Sequence, residues 1–172
     1  MIKLFLLILI SFSIFSNEEI EEVITTGTLL KESESKFSPV EIITAEKFDE
    51  IGVSTIAEIS KYLSASSGSH FQTNTMDGVD QGMSAITLRG LDHASTLLLI
   101  NSKRQTFTGT PSYNGEGYVD ANIIPKIALT KMEILKEGAT SVYGSDAVAG
   151  VINFITVKKF SGYKLDLDLS LI

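Results

Sequence analysis

Apolar residues along this chain come in short blocks, and the spacing inside each block predicts an element. Residues 40–44 and 131–135 read as strands, and residues 97–100 as a continuous apolar strand buried on both faces. Residues 151–157 form a β-branched strand bounded upstream by glycine. Residues 86–91, Ile-Thr-Leu-Arg-Gly-Leu, return to strand. A short helix over 45–51 follows Thr44 as its N-cap and stops at Gly52. Thr55 and Glu58 have the spacing of a capping box, opening a second helix whose Ile56, Ile59 and Leu63 fall on one face. Pro125 suits the first position of a one-turn helix. Polar, Gly- and Ser-rich residues over 64–84 and 105–118 predict two long exposed loops. Between the strands at 131–135 and 151–157, Gly138, Gly144 and Gly150 recur every six residues and predict a tightly constrained turn. At the end, Tyr163, Leu165, Leu167, Leu169 and Leu171 alternate with Lys164, Asp166, Asp168 and Ser170. That dyad pattern suits a membrane barrel strand and equally a soluble amphipathic strand.

The first residues obey a different rule. Lys3 precedes an apolar run too short to span a bilayer, and Ser16 supplies a small residue at its end, the shape of a secretory signal over 1–16, with a cut after Ser13 as the alternative. No cysteine follows, which excludes a lipoprotein anchor. Residues 17–28 are acidic and then β-branched. Val23, Ile24, Thr25 and Thr26 favour strand, yet the acids before them and Gly27 after leave them nothing evident to pack on. Such an isolated strand suits addition to the sheet edge of another protein. A polar linker over 29–38 separates it from the folded part.

Composition narrows the chemistry. Residues 17–50 hold ten acids against Lys31, Lys36 and Lys47, which accounts for the net charge of -7 and leaves no basic stripe for a nucleic-acid backbone. There is no cysteine, and His70 and His93 lack metal-ligand spacing, so neither a thiol nucleophile nor a zinc site is predicted. The glycines of 138–150 match neither a Walker loop nor a dinucleotide fingerprint, and Gly144-Ser145-Asp146 is not a nucleophile elbow. No catalytic residue, cofactor or metal is therefore predicted, and the chain is read as a non-enzyme. Phe107, Tyr113 and Tyr118 lie on the Gly-rich loop, either as adaptable contact surface for a ligand or as packing against the domain.

One long block is more specific than any of these. Ile124-Pro125, then Met132-Glu133-Ile134, then Gly-Ala-Thr-Ser-Val-Tyr-Gly-Ser-Asp-Ala-Val-Ala-Gly-Val-Ile-Asn over 138–153 occur in that order, with Asp120 and Asn122 upstream and Ile86-Thr87-Leu88-Arg89-Gly90 earlier still. This succession resembles the plug domain of TonB-dependent outer-membrane receptors. The chain departs from that family where Ser102 stands in place of a turn glycine and Lys131 in place of an arginine.

The resemblance implies an α+β plug domain with a small mixed β-sheet and short helices over 37–160, a TonB box and linker over 17–36, and the first strand of a transmembrane β-barrel over 161–172. It implies the gate of a transporter for a scarce large solute in the Gram-negative outer membrane, with plug and N-terminus facing the periplasm. Glu22, Val23, Ile24, Thr25 and Thr26 would bind the TonB C-terminal domain, and through it ExbB and ExbD. Arg89 is expected inside the plug–barrel assembly, paired with Glu133 or with barrel carboxylates. Arg104, Phe107, Tyr113 and Tyr118 are the candidate ligand loop, and siderophore, cobalamin, saccharide and peptide remain open as the solute. The chain is expected to be the N-terminal piece of a longer receptor whose barrel follows. The alternative is a freestanding periplasmic binding or signalling module.

Overall fold

A computed structural model of the chain describes residues 26, 40–66, 84–112, 115–137 and 139–165. The predicted signal, Glu22 to Thr25, the linker over 29–38, most of the predicted loop over 64–84 with His70, Tyr113, Gly138 and the alternating residues from Asp166 on lie outside the described residues. Five strands form one mixed sheet: β1 (Val40–Thr44), β2 (Thr96–Ile100), β3 (Lys103–Arg104), β4 (Leu129–Leu135) and β5 (Gly150–Thr156). Their order is β1-β4-β5-β2-β3, antiparallel except for the parallel β2–β5 pair. Helix α1 (Ala45–Ile51) follows β1 directly, capped by Gly52 in the left-handed region at φ 73°, where glycine carries no Cβ penalty.

Side chains alternate across a strand, so β4 and β5 each serve two faces. Met132, Ile134, Ile152 and Phe154 enter the main core with Leu98, Phe48 of α1, and Ile56, Ile59, Leu63, Ile86 and Leu88. Fully burying each such side chain contributes about 1.5–3 kcal/mol. On the other face Leu97, Leu99, Leu135 and Val151 pack under Ala139, Ala147 and Tyr143 from the β4–β5 connection. Three other positions of this second face, Lys131, Glu133 and Asn153, are polar, with Ile155 of β5 opposite Lys131.

Three predicted elements differ from the structure. Residues 86–91 are not a strand: Ile86 and Leu88 are buried, but the chain turns at Arg89 (φ 60°) and Gly90 (φ 69°). The backbone there is satisfied individually, Arg89 N donating to Ala65 O at 2.6 Å and Leu88 N to Thr96 Oγ1 at 3.0 Å. The second helix is a 3-10 helix, Ala57–Lys61, that buries Ile56, Ile59 and Leu63 as expected. Glu58 supplies the reach-back half of the capping box, its carboxylate accepting from Ser54 N at 2.9 Å and Thr55 N at 3.4 Å. Pro125 caps the 3-10 turn Lys126–Ala128 from outside instead of opening it. The constrained connection between β4 and β5 contains helix α2 (Thr140–Tyr143) and the 3-10 turn Ser145–Ala147, which the glycine spacing alone did not predict.

The β2–β3 hairpin turns through Asn101 (φ 49°) and Ser102 (φ 65°), both left-handed, as a two-residue turn of the primed type requires. Serine tolerates this conformation poorly, at a cost on the order of 1–2 kcal/mol. Local bonds offset it. Ser102 N donates to Asn153 Oδ1 at 2.9 Å, and Asn101 exchanges hydrogen bonds with Thr156 at 2.8 and 3.0 Å.

Candidate functional site

The polar positions of the second face converge on one buried cluster. Glu133 lies at the centre of the sheet, opposite Ile42 on β1 and Asn153 on β5, and is fully buried. A carboxylate there needs a cation and hydrogen-bond donors to offset its lost hydration. Lys131, two residues earlier on the same face, places Nζ 3.1 Å from Glu133 Oε1. The hydroxyl of Thr26 donates to Glu133 Oε2. Asn153 Nδ2 donates to Thr26 Oγ1 at 3.0 Å and to Ser102 Oγ at 3.4 Å, joining the N-terminal segment to the hairpin turn through β5. Thr26 is only 1% exposed, although 107 residues separate it from Glu133.

Sequence reasoning missed the roles of Lys131, Asn153 and Ser102 in this cluster. A signal was present: Lys131 and Glu133 sit two apart in an otherwise apolar strand, and Asn153 interrupts an apolar run. The proposed Arg89–Glu133 pair does not form within the chain. Arg89 is exposed, its left-handed backbone carries the side chain outward, and Nη1 donates to Lys136 O at 3.3 Å, while Lys131 partners Glu133. Lys136 in turn pairs with Glu41 of β1 at 2.6 Å.

The candidate ligand-loop residues divide into two groups. Arg104, on β3, pairs with Asp146 at 2.6 Å and donates its second amino group to Tyr143 O, tying the sheet edge to the β4–β5 connection. Phe107 and Tyr118 occupy opposing limbs of the loop, held together where Thr108 N donates to Tyr118 O at 2.9 Å. Phe107 is 55% exposed, and its ring covers Gly117 so closely that a Cβ there would lie 2.7 Å from Phe107 Cδ2. Tyr118 meets His93 edge-on, ring centroids 6.5 Å apart. The two aromatics therefore partly pack on the domain itself while Phe107 also faces solvent.

At the start of α1, the own backbone N–H of Glu46 and the Thr44 hydroxyl hold the Glu46 carboxyl below the usual carboxylate range. Among the described residues no group of three or more His, Asp or Glu could hold a metal ion.

Comparison with known proteins bears on this geometry. A family model described as the TonB-dependent receptor plug domain matches residues 33–151. An iron-regulated outer membrane virulence protein of Vibrio cholerae is 36% identical over 86 residues, 49% of this chain and 13% of that protein. The probable TonB-dependent siderophore receptor PirA of Acinetobacter baumannii is 30% identical over 123 residues, 69% of this chain and 16% of that protein. A solved structure of a variant of the ferric enterobactin receptor PfeA from Pseudomonas aeruginosa superposes with a TM-score of 0.59 at 27% identity, covering 74% of this chain and 18% of that one. The chain thus spans less than a fifth of the length of each of these proteins.

Proposed function

This chain belongs to the TonB-dependent receptor plug domain family, and from that premise we propose that it is the gate of an outer-membrane transporter that takes up a ferric siderophore. The match of the family model over 33–151, which runs from ahead of β1 to the first residues of β5, carries the proposal. Two relatives support the solute class, one described as iron-regulated and one as a siderophore receptor.

In this reading Glu22, Val23, Ile24, Thr25 and Thr26 add as a strand to the TonB C-terminal domain, so backbone hydrogen bonds supply the affinity. ExbB and ExbD energise that partner. The barrel and outer membrane surround the plug, whose N-terminal side faces the periplasm. Arg89, exposed on the isolated domain, meets carboxylates of the barrel wall, where the fork of a guanidinium binds two oxygens at once. Arg104, Phe107, Tyr113 and Tyr118 belong to the loop that faces the solute. No residue is assigned a catalytic role.

Calorimetric titration of the chain with the TonB C-terminal domain tests the strand addition. Ile24→Pro removes one backbone donor from the added strand and should abolish binding, while the thermal transition of the domain stays in place. Unchanged affinity would rule the segment out.

A further inference from the structure

We propose that the ring of Phe107 is a stacking platform for an aromatic ring of the transported chelate, so that iron chelates built on aryl oxygens are favoured over aliphatic hydroxamates. The proposal rests on the reading of the loop as solute-facing and of the solute as a ferric siderophore. It starts from a glycine. Gly117 does not lie in the left-handed region, so its φ would accept a side chain, yet a Cβ there would lie 2.7 Å from Phe107 Cδ2, 2.9 Å from Cγ and 3.1 Å from Cε2. A point in the plane of the ring would stand much farther from Cγ and Cε2 than from Cδ2, so these near-equal distances put Gly117 against the face of the ring. One face of Phe107 thus lies on bare backbone. The residue is nonetheless 55% exposed, which leaves the opposite face open to solvent.

The ring is positioned before any solute arrives. Thr108 N donates to Tyr118 O and Ser112 N to Glu116 O, both at 2.9 Å, so the loop is tied at the residue after Phe107 and on both sides of Gly117. Tyr118 is anchored in turn, edge-on against His93. A ring fixed in this way gives up little conformational freedom when a second ring meets it. Aromatic pairs prefer offset-stacked or edge-to-face arrangements, which an open face accepts, and they gain beyond the area they bury. An aliphatic hydroxamate arm has no π-system and gains only the burial. Arg104, at the base of the loop, is already engaged by Asp146 and by Tyr143 O, so its charge is partly met within the domain and the open ring is left to sort the two classes.

The test measures how tightly the receptor containing this chain, in isolated outer membranes, binds a ferric tris-catecholate siderophore and a ferric trihydroxamate siderophore. Phe107→Leu keeps apolar bulk and removes the aromatic face. It should weaken the catecholate chelate by about fivefold and leave the hydroxamate chelate unchanged. Phe107→Tyr should keep both affinities, and Gly117→Ala, which forces the ring off its support, should repeat the selective loss. Phe107 belongs to neither core cluster, so the domain folds without its ring. In a second measurement the full chain is titrated with gallium(III) tris-catecholate and with gallium(III) tris-acetohydroxamate, diamagnetic stand-ins for the ferric chelates. The Phe107 ring protons, followed by NMR, should shift with the first and not with the second. Unchanged catecholate affinity in Phe107→Leu, or a receptor that binds only the hydroxamate chelate, would overturn the platform. An equal loss of both chelates would overturn it as well and mark the ring as packing against the barrel wall. If the receptor binds neither chelate, it is the siderophore reading that fails, and the gallium titration then decides for or against the platform, a ring without a shift ending it.

Discussion

Gly150 opens β5 at φ +142°, where a Cβ would lie 2.6 Å from the carbonyl oxygen of Leu135 and 2.9 Å from Leu88 Cδ1. Backbone cannot yield as a flexible side chain does, so Gly150→Ala should cost about 3 kcal/mol, read as a shift of the urea midpoint. The glycine spacing in the sequence marked this position, but the β4 carbonyl that imposes it comes from 15 residues away in the chain and had no local signal. Glu46 gives a second test at this scale. Its own N–H and the Thr44 hydroxyl hold its folded pKa below the unfolded value near 4.5, so its contribution to stability is fully present above that value and is lost as pH falls through the folded pKa. Glu46→Gln should therefore lower stability slightly at neutral pH and flatten the acid limb of a stability–pH curve below pH 4.5, where the two chains converge. An acid limb identical to that of the unaltered chain would contradict the assignment.

Elements with strong local signals were legible, and those made by tertiary contact were not. Thr44, the helix over 45–51 and Gly52 were predicted with the observed bounds because cap, helix and stop lie within nine residues. Ile86 to Leu91 carries strand-prone residues, yet Arg89 and Gly90 turn the chain, and its amides find partners in Ala65 and Thr96 that no local pattern shows. The two-residue strand β3 is too short to leave a pattern. Of the candidate site, Thr26 and Glu133 were singled out for separate reasons, and only the fold shows that they touch. Arg104 illustrates the same limit, since its partners Asp146 and Tyr143 belong to the β4–β5 connection. The pair is about half-exposed on both sides, so Arg104→Ala should lower stability by no more than about 1 kcal/mol. A larger loss in denaturant would show that the bond to Tyr143 O holds the connection itself. A loss of solute uptake without one would assign Arg104 to the ligand loop.

The whole molecule combines a sheet with an apolar first face, a half-polar second face, and an acidic N-terminal segment that reaches that second face at Thr26. In the proposed receptor this segment links the gate to its energy source. The most direct measurement is therefore uptake of a labelled ferric siderophore by cells that carry the receptor containing this chain, compared with the same receptor lacking residues 22–26. The deletion leaves β1 to β5 intact and should abolish uptake while surface binding of the siderophore persists, and loss of TonB should have the same effect on the unaltered receptor. Uptake that continues at the same rate without residues 22–26, or without TonB, would contradict the account.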